Sequence, residues 1–497
     1  MIKKFIIISF FIIAEITNSY AYYDFDNKLE LAFTSILAFN FEEAERLLQQ
    51  EKIEKPGNDL RLLYHNYINF LKTFISEDKS DFENLKINSS LFLNELNRDK
   101  DNSTSPFHLY VQSEILIQQA LVRFKFNEYI ISAGEIRRAY KLIQKNKILF
   151  PSFILNQKIS GLLNAIVGSV PPQYQWIIKY AGMEGDISNG LNQLQASYEK
   201  VETTPFQSYR PEILFYIGNI FLIFSMPMDT VLLFHEMDSM INKSPLISLV
   251  YSNILMKLGK NDSALHILNS SLIKVSTYPF TYLYYKRGLV RLRKLDLSAK
   301  QDFQFFLLHH KGKSNIKSAY QKLSWISLIE GDSAMYVYNL KLCAQNGVAL
   351  NEDDKIAQDE SKSEGFINVF LIRARLFFDG GYYANALSEL AGKNIEVFPR
   401  HRDQLEVTYR LGRIMQMTKK SDKAIMYFEK TIKNGISSNY YFAANSALMV
   451  GLIHEEKKQI VLAKLYYLKC LSIKHKEYKN SIDQKALAGL ERIKLMN

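Results

Sequence analysis

Leu405 to Gly435 reads LEVTYRLGRIMQMTKKSDKAIMYFEKTIKNG, and three spacings within it decide the fold. Leu411 and Gly412 fall on a first amphipathic segment, Ala424 lies twelve residues beyond Gly412 on a second, and Phe428 follows Ala424 by four. Four residues is about one helical turn, so Ala424 and Phe428 share a face. A small residue on each helix lets the two backbones approach, and the aromatic ring fills the space beside that contact. Lys419-Lys420-Ser421 is a polar break with Ser421 as the expected cap of the second helix, and Asn434-Gly435 is the expected stop. The stretch reads as two short helices packed as a hairpin.

The same spacing recurs on both sides. Gly451, Ala463 and Tyr467 repeat it, as do Ala374, Ala386 and Leu390. The second-helix alanines of these three units are 38 and 39 residues apart, a period typical of helical solenoids. Further out, Ser252, Ala264 and Leu268 keep the pattern with Gly259 in the turn, and Ala32, Ala44 and Leu48 keep it near the N-terminus, where Pro56 closes the second helix. Gly288, Ala299 and Phe303 shorten the first interval to eleven, which predicts a shorter turn. Residues 316–346 keep Gly331 but place Tyr336 where alanine is expected. Residues 60–77 and 81–96 read as a helical pair lacking the small-residue signature, Asn97–Ser105 as a polar loop, and 107–125 with 127–147 as two longer amphipathic helices around Ala120 and Phe126. A last amphipathic segment, 478–495, reads as a helix capping the apolar end of the array.

Composition agrees with an all-α chain. Apolar residues make up 47%, too many for a disordered chain, while 21 glycines and 11 prolines in 497 residues are few for a turn-rich β protein. We therefore expect an α-solenoid of helical hairpins ending in a C-terminal capping helix. Its expected divisions are a leader at 1–21, an N-terminal hairpin region at 22–205 interrupted at Pro171-Pro172, divergent repeats at 206–350, an acidic linker at 351–365, and regular repeats with the cap at 366–497. The linker, NEDDKIAQDESKSEG, lacks the Gly-centred alternation of a calcium loop and reads as a solvated connection. Residues 211–226 are apolar almost throughout, but the run is short and broken by Asn219, so it reads as a helix buried in the stack.

The chain starts with Met1-Ile2-Lys3-Lys4, continues through FIIISFFIIA and reaches a small-x-small site at Ser19-Tyr20-Ala21. A basic start, a short apolar core and such a site describe a secretory signal cleaved after Ala21. No cysteine lies nearby for a lipid anchor, so the expected place is the periplasm and not a lipid-anchored state. Net charge is +11, or +10 without residues 1–21, and the basic residues are spread among acids. Such an excess suits anionic partners, including lipid head groups, although export argues against nucleic acid. The two cysteines, Cys343 and Cys470, exclude a disulfide scaffold and read as buried free thiols.

Gly380-Gly381-Tyr382-Tyr383 followed by Ala386 completes a turn-and-alanine signature, and with it the chain resembles a tetratricopeptide-repeat protein. The usual first-helix tryptophan is absent and the period exceeds the standard of about 34 residues, which implies longer connections. More narrowly, Gly161–Leu194, with Pro171-Pro172, Trp176, Gly182, Gly185 and Gly190, resembles the inclusion-body-clearance and related tetratricopeptide-repeat 39 family. Those proteins are intracellular adaptors, so an expected leader here is a departure from them.

No catalytic constellation accompanies the repeats. HExxH, GxSxG, phosphate-loop and paired-cysteine motifs are all missing, and adjacent His309 and His310 would point about 100° apart on a helix. Neither an enzyme nor a cofactor is expected. Stacked hairpins instead form a groove lined by first helices, which holds extended or helical segments of other proteins. Arg375, Arg413 and Leu452 each follow a packing residue by one position and so turn away from it; with Asn253, Tyr409 and Gln416 they are the expected groove residues. The expected function is an exported scaffold binding a protein or peptide segment. The alternative is a peripheral envelope protein that meets membrane or anionic polymer through a basic surface.

Overall fold

The computed structural model describes residues 22–97, 104–170, 175–180, 182–224, 229–273, 278–363 and 365–494. The expected leader, Pro171-Pro172 and most of the expected 97–105 loop lie outside them. Among the described residues the regular structure is helical, apart from one isolated bridge between Tyr22 and Asn58.

One turn geometry builds the hairpins. In the central hairpin, His401–Met417 and Ser421–Gly435, Lys419 adopts a left-handed backbone with φ +58°, and the Lys420 amide donates to the Met415 carbonyl over 2.8 Å. A left-handed residue with a bond reaching back five positions is the Schellman helix stop, which satisfies a carbonyl the helix end would leave open. Phe39, Asn127, Gly259, Leu295, Gly331, Gly381 and Lys458 are also left-handed, with equivalent bonds from the residue that follows each. This position is a ruler. It comes seven residues after the first-helix packing residue, as in Gly412 to Lys419, and five before the second-helix one, as in Lys419 to Ala424. The expected shorter turn after Gly288 is located by it, since Leu295 comes seven residues after Gly288 but only four before Ala299. Ser421 does not cap its helix, because the cap position is Lys420 and makes no side-chain bond. Gly435 is the last helical residue rather than the stop; a Cβ there would touch Ala443 and Leu405 at 3.2 Å.

The packing argument from spacing holds in detail. A Cβ on Gly412 would come within 2.6 Å of the Phe428 ring, and one on Gly451 within 2.7 Å of Tyr467, so in both hairpins glycine makes the space its partner ring fills. Ala424, Phe428, Ala463 and Tyr467 are fully buried in one core with Phe442, Ala447 and Ile482. The final helix, Lys479–Lys494, buries Ile482, Ala486, Gly489 and Ile493 and leaves its remaining face to solvent, as a cap does.

Two compact units divide between Met228 and Asp229. The helix Arg210–Phe224 lies in the first unit, where it buries Ile213, Leu214, Ile217, Ile220 and Phe221. Leu155–Gly168 and Ile187–Val201 cross in the same unit at Gly161 and Gly190. A Cβ on Gly190 would lie 2.7 Å from the Gly161 carbonyl oxygen, so only glycine permits this approach.

Fully buried Lys158 stands at the centre of the first unit, paired with Glu114 and, over 2.6 Å, with Glu212. Tyr67 and Tyr216 donate to Glu212, over 2.8 and 2.7 Å, and Tyr110 donates to Glu114 over 2.8 Å. The ammonium also lies 4.8 Å from the Tyr209 ring centroid. Burial pushes the Glu114 carboxyl above its ordinary value, against the pull of Lys158.

In the second unit, the turn at Gly259 rests against the turn at Gly381, where a Cβ would collide with the Gly259 carbonyl, and the Tyr382 hydroxyl donates to Asp262 over 2.9 Å. Residues 280–363 lie between these two turns in sequence, so this part of the array is tightly coiled. The expected acidic linker is a helix, Glu352–Lys362, packed on the hairpin of Ile316–Ile329 and Ser333–Gln345. Two of its carboxylates turn inward, Asp354 buried and Glu360 half-buried. Asp354 accepts from the Asn315 and Ser318 amides over 2.6 and 3.0 Å, capping the Ile316–Ile329 helix, while Glu360 accepts from Trp325 Nε1 and Gln321 Nε2, each over 2.6 Å. The acids that made the segment look solvated hold it in place.

Candidate functional site: an arginine and tyrosine cavity

The His401–Met417 helix places Arg402, Glu406, Tyr409, Arg410 and Arg413 at intervals of four, three, one and three, which sets them along one stripe. Val369–Asp379 adds Arg375, Phe378 and Asp379, and Tyr441 stands at the start of Phe442–Glu456. Arg375, Phe378, Asp379, Tyr409, Arg410, Arg413 and Tyr441 line a cavity of about 230 Å³.

The arginines there differ in how they are matched. Arg410 Nε donates to Glu406 over 2.8 Å, and Arg402 reaches the same carboxylate over 3.1 Å. Burial pushes the Glu406 carboxyl up, but Arg410, Arg402 and Arg375 outweigh it and hold the group below its ordinary value. Arg375 has a loose pair with Asp379 at 3.8 Å. Among the described residues no carboxylate pairs with Arg413, whose guanidinium faces the Phe378 ring at 5.3 Å and whose buried Nε has no hydrogen-bond partner. The three lining arginines, Arg375, Arg410 and Arg413, thus face two carboxylates, Asp379 and Glu406, while Arg402 beside them also feels Glu477 and Asp403.

Tyr409 adds a directed donor. Its hydroxyl oxygen accepts from Asn445 Nδ2 over 2.7 Å and from Arg413 Nη1 over 3.3 Å, which leaves its proton to be given to an acceptor. Phe378, Tyr409 and Tyr441 supply apolar walls. The cavity can therefore hold a carboxylate or similar anion attached to an apolar or aromatic body.

Arg375 extends the site toward the preceding hairpin. Its guanidinium lies 5.1 Å from the Trp325 ring, over which Lys322 Nζ sits at 3.8 Å. Glu360 is the carboxylate bonded to that same tryptophan. Burial and the nearby Arg375 lower the Lys322 ammonium to about 8.

Three expected groove residues, Arg375, Tyr409 and Arg413, line the one cavity. Gln416, three residues after Arg413, is half-buried, and its Oε1 has no hydrogen-bond partner. Asn253 lies half-buried on Pro245–Lys257, outside the lining. Leu452 packs partly buried against the C-terminal core, also outside it. Gln416 is likewise not part of the lining. Sequence reasoning missed Phe378, Asp379, Arg410 and Tyr441, although the 402, 406, 410 and 413 stripe was readable as a helix face.

The other polar groups are quiet. Cys343 and Cys470 are free and fully buried, and burial pushes their thiols up to about 11 and about 12, far from a reactive thiolate. His309 is exposed and bonds to the Phe305 carbonyl, while His310 stacks on Phe306, so the two rings go to different partners. Among the described residues no helix is long and apolar enough to cross a membrane.

No protein-family model matches the chain, and no curated protein matches it. Among solved structures, a monomeric IFIT1 mutant aligns at 14% identity over 95% of this chain and 96% of its own, with a TM-score of 0.32. The tetratricopeptide-repeat domain of P58(IPK) aligns at 12% identity over 86% of this chain and 98% of its own, with a TM-score of 0.23. Yeast Tom70 aligns at 10% identity over 94% and 96%, with a TM-score of 0.24. These superpositions are too loose to carry a functional inference.

Proposed function

We propose that the chain is a non-enzymatic scaffold that holds a segment of another protein on its C-terminal hairpins, with a carboxylate of that segment seated in the arginine and tyrosine cavity. The observation that supports this reading is Arg413, a half-buried guanidinium with no carboxylate partner among the described residues, beside a Tyr409 hydroxyl proton left to be donated. Glu360 supports it from within the chain, because one hairpin earlier a carboxylate carried on a helix binds Trp325 and Gln321. The partner segment is acidic and bears an apolar or aromatic residue for the Phe378, Tyr409 and Tyr441 walls. The leader-like pattern of Met1–Ala21 supports a place outside the cytoplasm, and N-terminal sequencing of protein from its native cells tests that. For the binding itself, a double Arg375→Glu, Arg413→Glu variant is expected to lose the partners that the unaltered protein retains in affinity purification. Recovery of the same partners in the same amounts would contradict the assignment.

A further inference from the structure

The helix Tyr129–Leu149 in the first unit buries Ser132, Glu135, Ile136, Ala139, Ile143 and Asn146, and turns a different chemistry outward. Ile130, Gly134, Arg137, Lys141, Lys145 and Ile148 recur at intervals of three and four, all exposed, so they form one stripe along the helix. Ile130 is 90% and Ile148 81% exposed, and Ile131, Leu149 and Arg138 flank them. At the hairpin tip Phe124, itself exposed, packs edge-on to Tyr129 at 5.1 Å. The helix carries a single carboxylate, Glu135, which is buried and bonded to Arg123 over 2.8 Å. Its outer face therefore has four basic residues, no acid, and isoleucines at both ends.

We propose that this face seats the protein on an anionic lipid surface. A helix of this length is roughly 30 Å long, and its apolar ends lie on the same side as the cations between them. Lying flat, it would put Ile130, Ile131, Ile148 and Leu149 into the boundary between head groups and acyl chains, with Arg138, Lys141 and Lys145 against lipid phosphates. A second copy is a poor occupant, since it would bring an equal set of cations against this one. The apolar helix Arg210–Phe224 cannot serve the purpose, because its apolar side chains are largely packed inside the first unit. Attachment is peripheral and independent of the cavity on the C-terminal hairpins.

The test is flotation of the full chain with phosphatidylcholine vesicles containing about 30 mol% phosphatidylglycerol, against vesicles of phosphatidylcholine alone. The protein is expected to float with the anionic vesicles and not the neutral ones, and to be released as salt rises. Arg138→Glu with Lys141→Glu is expected to weaken binding by about tenfold or more. Ile130→Ser with Ile131→Ser should weaken it while leaving its salt dependence in place. These side chains are exposed, so all four substitutions should leave the helical circular dichroism unchanged. Failure of the unaltered protein to bind anionic vesicles at low salt would overturn the proposal. So would equal binding by the charge-reversed variant, or a dimer in solution that Ile130→Ser with Ile131→Ser abolishes.

Discussion

Arg413 Nη1 donates to the Tyr409 hydroxyl over 3.3 Å, one helical turn away, and among the described residues that guanidinium meets no carboxylate. Arg410, on the same stripe, is bound to buried Glu406. Two arginines three residues apart thus have different work, and stability separates them. Arg410→Met leaves Glu406 buried with one cation fewer and is expected to cost about 3–5 kcal/mol, whereas Arg413→Met is expected to change stability by no more than about 0.5 kcal/mol. Urea denaturation followed by circular dichroism measures both. A large loss with Arg413→Met would make that residue a structural member of the hairpin.

The hairpin turns predict gains as well as losses. Lys419 and Lys458 hold left-handed backbones at φ +58° and +57°, a conformation that costs a residue with a Cβ about 1–2 kcal/mol and glycine almost nothing. Lys419→Gly and Lys458→Gly are each expected to raise the unfolding temperature, with a net gain of up to about 1 kcal/mol after the added freedom of the unfolded chain. Gly381→Ala should do the reverse by more, since it meets the same backbone cost and the Gly259 carbonyl as well. Scanning calorimetry resolves these shifts.

That turn also shows how far the sequence could be read. The twelve-then-four spacing of Gly412, Ala424 and Phe428 reported real packing because small residues and a ring must meet at a helix contact. The left-handed position that divides the twelve into seven and five is marked by glycine at 259, 331 and 381 but stayed invisible at Phe39, Leu295, Lys419 and Lys458, which have no preference for that conformation and take it only because both helices are anchored. Asp354 and Glu360 misled for a related reason, since a carboxylate reads as solvated until the amides or indole that bind it are placed. Half of the expected groove set reached the cavity. Arg375, Arg413 and Leu452 share one offset from a packing residue, but only the two arginines lie on the hairpins whose first helices line the cavity, and Asn253 belongs to a distant hairpin.

Lys158 was unreadable for the same reason, and its removal is expected to be severe. Lys158→Met leaves Glu114 and Glu212 facing one another without their cation in a fully buried site. The expected cost is about 3–5 kcal/mol, confined to the first unit. Adding Glu114→Gln and Glu212→Gln to that variant is expected to recover part of the loss. Hydrogen exchange of the Leu155–Gly168 amides reads the effect in the right place.

Lys322 gives a test by pH. Burial and Arg375 hold its folded value at about 8, below the ordinary lysine value of 10.5, so the folded state binds fewer protons than the unfolded chain between these values. Stability contributed by this group is therefore present above about 10.5 and lost as pH falls toward about 8. At the level of reactivity, Lys322 should be modified by an amine-directed reagent with a midpoint near 8, ahead of fully solvated lysines. Mass spectrometry of the peptide carrying it measures the profile. Titration together with the exposed lysines, such as Lys423, would show that burial and Arg375 do not perturb it.

Selection of a random dodecamer peptide library on the intact protein tests the central claim most directly, because it asks what the cavity accepts without assuming a partner. Recovered sequences are predicted to carry Asp or Glu beside an aromatic or aliphatic residue, and Arg413→Glu is predicted to weaken their binding by about tenfold or more, as loss of a charge-assisted bond implies. Enrichment of neutral or basic peptides, or undiminished binding of acidic ones to the Arg413→Glu variant, would contradict the account.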